Sequence, residues 1–249
     1  MPRPGRDGRY HHGDLRAALI DTAVEIIGER GVRGFSLAEA SRRLGVASSA
    51  PYAHFAGRDE FLAAVAVHAY ELFNERFLPE IYEFPEPAGR LAALVRSYVR
   101  FAGAHRPLFE VIFVAGFDKI RHPEVKAAEK PFEDAYTNIV RTLSADTTAA
   151  PGTPTAEPGG PTDEPPAPTP EPRDPTGEPR TPAPESGDLT GESSDLVAAV
   201  EAAAYGHAML LLEGDYGKGD EAVELAADRA ARSTLALVES RHLLRRQAP

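Results

Sequence analysis

The sequence predicts an all-α protein, and three observations carry that reading. Apolar residues recur at a helical period in segment after segment, caps and stops stand where those segments begin and end, and the period-2 alternation of β-branched residues that marks strands is missing. Leu15, Ala18, Leu19, Thr22, Ala23, Ile26 and Ile27 make one stripe, so a first helix spans about 14 to 30 and Gly31 stops it. Ser36 stands three residues before Glu39, the spacing at which each side chain satisfies a backbone N–H of the first turn. A short second helix therefore covers about 37 to 44 and ends at Gly45. Val46 points inward, and Ser48 caps a third helix of barely two turns with Pro51 in its first turn, where a missing N–H costs nothing. Gly57, Arg58 and Asp59 interrupt before a fourth run, about 60 to 78, which stops near Pro79. Three more helices read at about 88 to 105, 107 to 116 and 123 to 144. The last two, about 193 to 213 and 219 to 243, carry Leu196, Val200, Ala203, Leu210 and Leu211, then Val223, Ala227, Ala230, Leu235 and Val238.

Organisation follows from where this pattern fails. Residues 151 to 184 hold 13 of the chain's 23 prolines with almost nothing apolar between them, so 145 to 192 is expected to be a disordered, extended insert. The expected divisions are a flexible basic arm at 1–12, a helix-turn-helix domain at 13–58, the first part of a helical ligand-binding domain at 59–144, the insert, and two dimerisation helices at 193–244. Charge divides along the same lines. The net charge is −11, yet residues 1 to 58 set nine arginines against six acids, whereas 145 to 192 set ten acids against two arginines. The head is thus basic on an acidic chain, and the overall balance is a poor guide to partners. With no cysteine, disulfides and thiolate chemistry are excluded. No apolar run reads as a membrane span and no signal segment opens the chain, so the expected location is the cytoplasm.

The stretch RRLGVASSAPYAHFAGRDEF, Arg42 to Phe61, puts a tight glycine turn between two helices, the second too short to bury much surface. That is a helix-turn-helix whose second helix is made for presentation. Ala47, Ser48, Ser49 and Ala53 offer small groups to base edges, and Tyr52, His54, Arg58 and the capped turn at Ser36 suit phosphates. Phe55 reads as a core anchor, and Tyr52 as packing body, phosphate contact or both. GERGVRGFSLAEASRRLGVASSAPYAHFAGRDEF resembles the DNA-binding domain of the TetR family of bacterial transcriptional regulators. The family pattern is met at Gly45, Val46, Tyr52, His54, Phe55, Arg58, Asp59 and Phe61, while Pro51 stands where an aliphatic residue is common and Arg58 where lysine is. RYHHGDLRAAL and HAMLLLEG resemble the subgroup with a WHG-type C-terminal domain, although Tyr205 precedes Gly206 where histidine is frequent. The resemblance implies an all-α homodimer with a divergent ligand-binding domain and an interface made by the last two helices.

In the second module Tyr98, Phe101, His105, Phe109, Phe113, Phe117, Phe132 and Tyr136 form an aromatic group spread over three helices. Ordinary core is the default for each, and the functional alternative is a chamber for a flat or apolar small molecule. Glu110, Glu133 and Asp134 have no orienting partner or nucleophile and read as a charged helix face, so no catalytic residue is assigned. His11 and His12 belong to a solvated arm that, with Arg3, Arg6 and Arg9, could follow DNA; no metal or cofactor is implied. The expected function is a homodimeric, ligand-responsive DNA-binding regulator, most simply a repressor that leaves an inverted-repeat operator when a small molecule binds. The alternatives are an activator, or an all-α small-molecule-binding protein or enzyme that uses the helix-turn-helix to contact protein.

Overall fold

The computed structural model describes residues 12–113, 121–148 and 191–244. Among these the helices are α1 (His12–Arg30), α2 (Leu37–Leu44), α3 (Arg58–Arg76), α4 (Pro87–Ala104), α5 (Arg106–Phe113), α6 (Pro123–Thr148), α7 (Gly191–Glu213) and α8 (Asp220–Glu239), and no strand occurs. The arm at 1–11, Phe117 and most of the insert lie outside the described residues.

The first two helices form for the reasons legible in the sequence. Leu19, Ala23, Ile26 and Ile27 of α1 are buried, and the Thr22 hydroxyl among them donates back to the Ala18 carbonyl at 2.7 Å. Gly31, at φ 69°, turns the chain out of the helix. Ser36 is extended and its hydroxyl accepts the Glu39 N–H at 3.2 Å, while Gly45 closes α2 in the left-handed conformation. The reciprocal half of the expected cap differs: the Glu39 carboxylate accepts from Arg42 and Arg43, because two guanidinium groups within one turn attract it more strongly than a single backbone N–H.

The third element is a correction. Where a two-turn helix capped by Ser48 was expected, Ala50–Ala53 is a 3₁₀ turn with Ser49 at its cap position and no side-chain cap bond. Pro51 explains this, since it removes an N–H inside a segment only seven residues long between Ala47 and Ala53. Its ring is buried, filling the place of an aliphatic side chain.

The body is a stack of helices in which α8 lies along α4 and packs on α7, while α6 packs against α3 and α4. Arg96 pairs with Asp228 at 3.0 Å, and Arg100 bridges Glu224 and Glu80 at 2.6 and 3.1 Å, tying α4 to α8 and to the turn Pro79–Glu83. Helix α6 continues through Pro131, whose ring faces solvent, so one backbone bond is lost on the exposed side. Helix α7 differs from expectation in one respect: Ser194–Glu213 is long and apolar enough to cross a membrane by length and composition. Its apolarity comes from alanines together with Leu and Val, and Leu196, Val200, Ala204, Ala208 and Leu211 pack it onto the other helices. The head and body are not separate bodies, because one contiguous set of buried apolar side chains runs from Leu19 to Val238. Helix α5 makes the junction, packing on α1, on α3 and on the turn at Val32–Gly34.

Close approach of α4 and α8 requires Gly103. A Cβ there would stand 2.6 Å from one Val223 methyl and 3.1 Å from a Leu211 methyl. Val223 is β-branched and cannot swing aside without leaving its rotamer. We predict that Gly103→Ala lowers the melting temperature, the about 1–3 kcal/mol of overpacking exceeding the about 1 kcal/mol gained in helix propensity. Adding Val223→Ala should restore most of the loss in a thermal melt.

Candidate nucleic-acid interface and aromatic interior

The presented segment runs from Ala47 to His54. Ala50, Tyr52 and His54 donate backbone N–H groups to Ala47, Ser49 and Pro51 at 2.9, 3.1 and 2.9 Å, which makes successive tight turns. Below them Phe55, 2% exposed, meets Phe61 edge-on at 4.5 Å, and Phe61 stacks on Phe35 at 4.9 Å. The Arg16 guanidinium covers the Phe55 ring at 5.4 Å. Anchored this way, the segment leaves Ala47, Ser48, Ser49, Tyr52 and Ala53 in solvent. Tyr52, at 59% exposed, is not packing body; its ring and hydroxyl stand clear of the core. His54 is half-buried beside Phe55. Ser36 is exposed at the start of α2. Arg58 is exposed but donates to the Val32 carbonyl at 2.8 Å, so it braces the head as well as offering charge.

Around this segment lies a network that sequence spacing did not reveal. Arg42 grips Glu39 through two nitrogens at 2.8 and 2.7 Å, Arg43 joins Glu39 at 3.2 Å and also clasps Glu29, and Arg30 stands 3.5 Å from Glu39. Hydrogen bonds from Arg42 and then Arg43 hold the Glu39 carboxyl down at about 2, and Glu29 is lowered chiefly by Arg43. Three arginines against two glutamates leave the patch cationic with its guanidinium groups fixed in place. Arg42 keeps 70% of its side chain exposed, and Arg33, in the turn between α1 and α2, is exposed with no ion-pair partner among the described residues. The signal for both was the arginine count of the head, which does not say which cations face outward.

The aromatic residues form two groups. Phe101 meets Phe73 and Phe77 edge-on at 5.4 and 5.6 Å, Phe132 joins Phe73 at 5.3 Å, and His105 stands 5.3 Å from Phe101 and 6.0 Å from Phe77. Burial first, then Arg76 and His68, lower the His105 pKa and favour its neutral ring. In the second group Tyr98 contacts Phe109 at 5.3 Å and Phe113 at 5.0 Å. Phe101 and Phe109 are wholly core, whereas Tyr98, Phe113, Phe132 and Tyr136 are partly accessible. The Tyr136 hydroxyl donates to the Val197 carbonyl at 3.2 Å, bringing α7 against α6. Sequence reasoning missed Glu201 of α7, half-buried with its pKa raised by burial, because the alanine-rich stripe around it read as a dimerisation surface. Glu110 and Asp134 are paired along their own helices with Arg106 and Lys130 at 2.9 and 2.8 Å, as a charged face requires.

Residues 91–234 match the family described as "Tetracyclin repressor-like, C-terminal domain", and residues 19–65 match "Bacterial regulatory proteins, tetR family". The chain belongs to the TetR family of bacterial regulators. The TetR description does not name the WHG-type subgroup. No curated protein matches the sequence significantly. Among solved structures, a protein of unknown function from Rhodococcus sp. RHA1 is 25% identical, with 91% of this chain and 98% of that one covered and a TM-score of 0.58. The TetR-family regulator PfmR from Thermus thermophilus shares the fold at 14% identity, covering 88% and 97% with a TM-score of 0.56. FadR from Bacillus subtilis, solved with stearoyl-CoA, does so at 15% identity, covering 89% and 96% with a TM-score of 0.54.

The arginine network makes a pH prediction. Glu39 falls from 4.5 to about 2 in the folded head, so its ion pairs stabilise fully above about pH 4.5 and the contribution is lost as pH falls toward 2. In acid unfolding monitored by circular dichroism, Glu39→Gln should show a shallower decline across that window than the wild type. An unchanged slope would show that the network does not hold Glu39.

Proposed function

We propose that this TetR-family protein is a homodimeric, cytoplasmic repressor whose grip on operator DNA is released by a small molecule. The observation that carries the reading is the exposure of Ala47, Ser48, Ser49, Tyr52 and Ala53, mounted on a buried aromatic anchor inside a basic head. A turn that buries only Pro51 and presents small hydroxyls flanked by Tyr52 and fixed arginines suits base edges with phosphates on either side. Ser48, Ser49, Ala47 and Ala53 face bases. Tyr52, His54, Ser36 and Arg58 meet the backbone, joined by Arg33 and Arg42.

The dimer is supported by apolar side chains of the last two helices that stay exposed, Tyr205, Leu210, Leu225 and Leu235 at 36–42%. Gly206 has open space where a Cβ would stand, leaving room for a neighbouring backbone. Release follows from linkage: a ligand that fits the aromatic interior better when the heads are wrongly spaced weakens DNA affinity by that differential. The junction for it is visible, since a Cβ on Gly28 of α1 would lie 3.2 Å from Pro107 of α5, leaving no slack between head and body.

Two measurements test the reading. In fluorescence anisotropy with the promoter fragment beside its own gene, Tyr52→Ala should weaken binding to operator and random DNA alike, and Arg42→Ala should also flatten the salt slope by about one unit. Ser48→Ala should cost affinity at the operator only, by roughly 1–3 kcal/mol. Equal losses on both DNAs for all three variants would contradict the division into base and phosphate contacts. Leu210→Glu combined with Leu225→Glu should give folded monomers in sedimentation that lose specific binding; persistent dimers would place the interface elsewhere.

A further inference from the structure

Among the described residues, the one fully buried side-chain atom without a hydrogen-bond partner is Asn74 Oδ1 on α3, and two partly buried groups elsewhere, the Glu201 carboxylate and the Tyr98 hydroxyl, also lack one. Glu201 lies in the inner stripe of α7, with Val197 and Val200 buried before it and Ala204 after it. A carboxylate in such a stripe is normally paired, because leaving it alone costs its hydration without return. Among the described residues no arginine, lysine or histidine bonds to Glu201, and burial alone raises its pKa. On α4, which packs against α7, is Tyr98, partly accessible, its ring edge-on to Phe109 and Phe113. Its hydroxyl has no hydrogen-bond partner among the described residues either. Burial first, then Tyr205 and the Glu201 charge, push the Tyr98 phenol up, and Tyr98 and Glu201 are not hydrogen-bonded. Tyr136 stands on the same side: its hydroxyl is fixed on Val197, one turn before Glu201, and it feels the same charge.

We propose that this interior is a subsite for an organic cation, a protonated amine on an apolar body, held by the Glu201 carboxylate with the Tyr98 hydroxyl and ring beside it. The proposal rests on the effector-binding reading above and names the class of effector. An ammonium satisfies both unpartnered oxygens at once, and phenol rings add attraction through their faces. The aromatic walls supply the apolar contact. An anionic ligand such as a fatty acid or acyl-CoA would set its charge against Glu201. This separates the chain from the FadR of Bacillus subtilis, whose structure holds stearoyl-CoA on the same fold.

The test is isothermal titration of the full chain, without DNA, with four ligands that share one tail: decylamine (protonated at neutral pH), decanol, decanoate and decanoyl-CoA. Decylamine should bind one per protomer and about tenfold or more tighter than decanol, with the two anions weaker still. Glu201→Gln should lower decylamine affinity by about tenfold and leave decanol unchanged, while Tyr98→Phe should give a smaller loss. Both variants conserve shape, and a thermal melt verifies their fold. Decanoate or decanoyl-CoA binding as tightly as the amine, no saturable amine binding, or unchanged amine affinity in Glu201→Gln would each overturn the proposal. DNA binding of the same preparations is scored separately, so a protein that binds DNA but not the amine loses only this subsite, and one that binds the amine but not DNA loses the regulator reading.

Discussion

The whole proposed DNA-facing surface depends on the packing of Phe55 against Phe61. A 3₁₀ turn of four residues has too few internal bonds to keep its shape in water, and nothing in Ser48, Ser49 or Ala53 can hold it from outside. What fixes it is the buried end of the segment: Pro51 and Phe55 inward, Phe61 edge-on, Phe35 stacked behind. Because Phe61 belongs to the first turn of α3, the presented turn and that 19-residue helix share one anchor. That helix is tied to the body in turn, through the Tyr70 hydroxyl on Glu129 and the Asn74 side-chain amide on the Ala128 carbonyl at 2.8 Å.

The consequence is mechanical. A small-molecule signal reaches DNA only if the head cannot drift independently of the body, and a shared core from α1 to α8 supplies that stiffness. On packed helices of that core, the Glu201 carboxylate and the Tyr98 phenol stand without a hydrogen bond to each other. Under the proposed reading, a ligand that completes them would gain a differential between arrangements of the heads, which is what linkage needs.

The fold was legible because it rests on local rules. The stripe of α1, the cap at Ser36, the left-handed Gly45 and the buried Phe55 each follow from residue types at fixed spacing, and each is found in the structure. The short element after Gly45 was legible in position but not in conformation, since Pro51 can open a helix or enforce a tight turn and seven residues do not decide which. Long-range pairings were not legible: Arg43 finds Glu29 fourteen positions away, and Arg100 finds Glu224 across 124. Glu201 escaped for a related reason. Its role depends on which face of α7 turns inward, and an alanine-rich helix gives period without polarity.

The most direct measurement of the central claim is a hydroxyl-radical footprint on the DNA upstream of the protein's own gene. Two recognition turns related by a dimer axis predict protection of two inverted half-sites spaced by one helical turn, about 34–36 Å, or a multiple of it. A single asymmetric footprint, or none at protein concentrations that saturate nonspecific binding, would contradict the account.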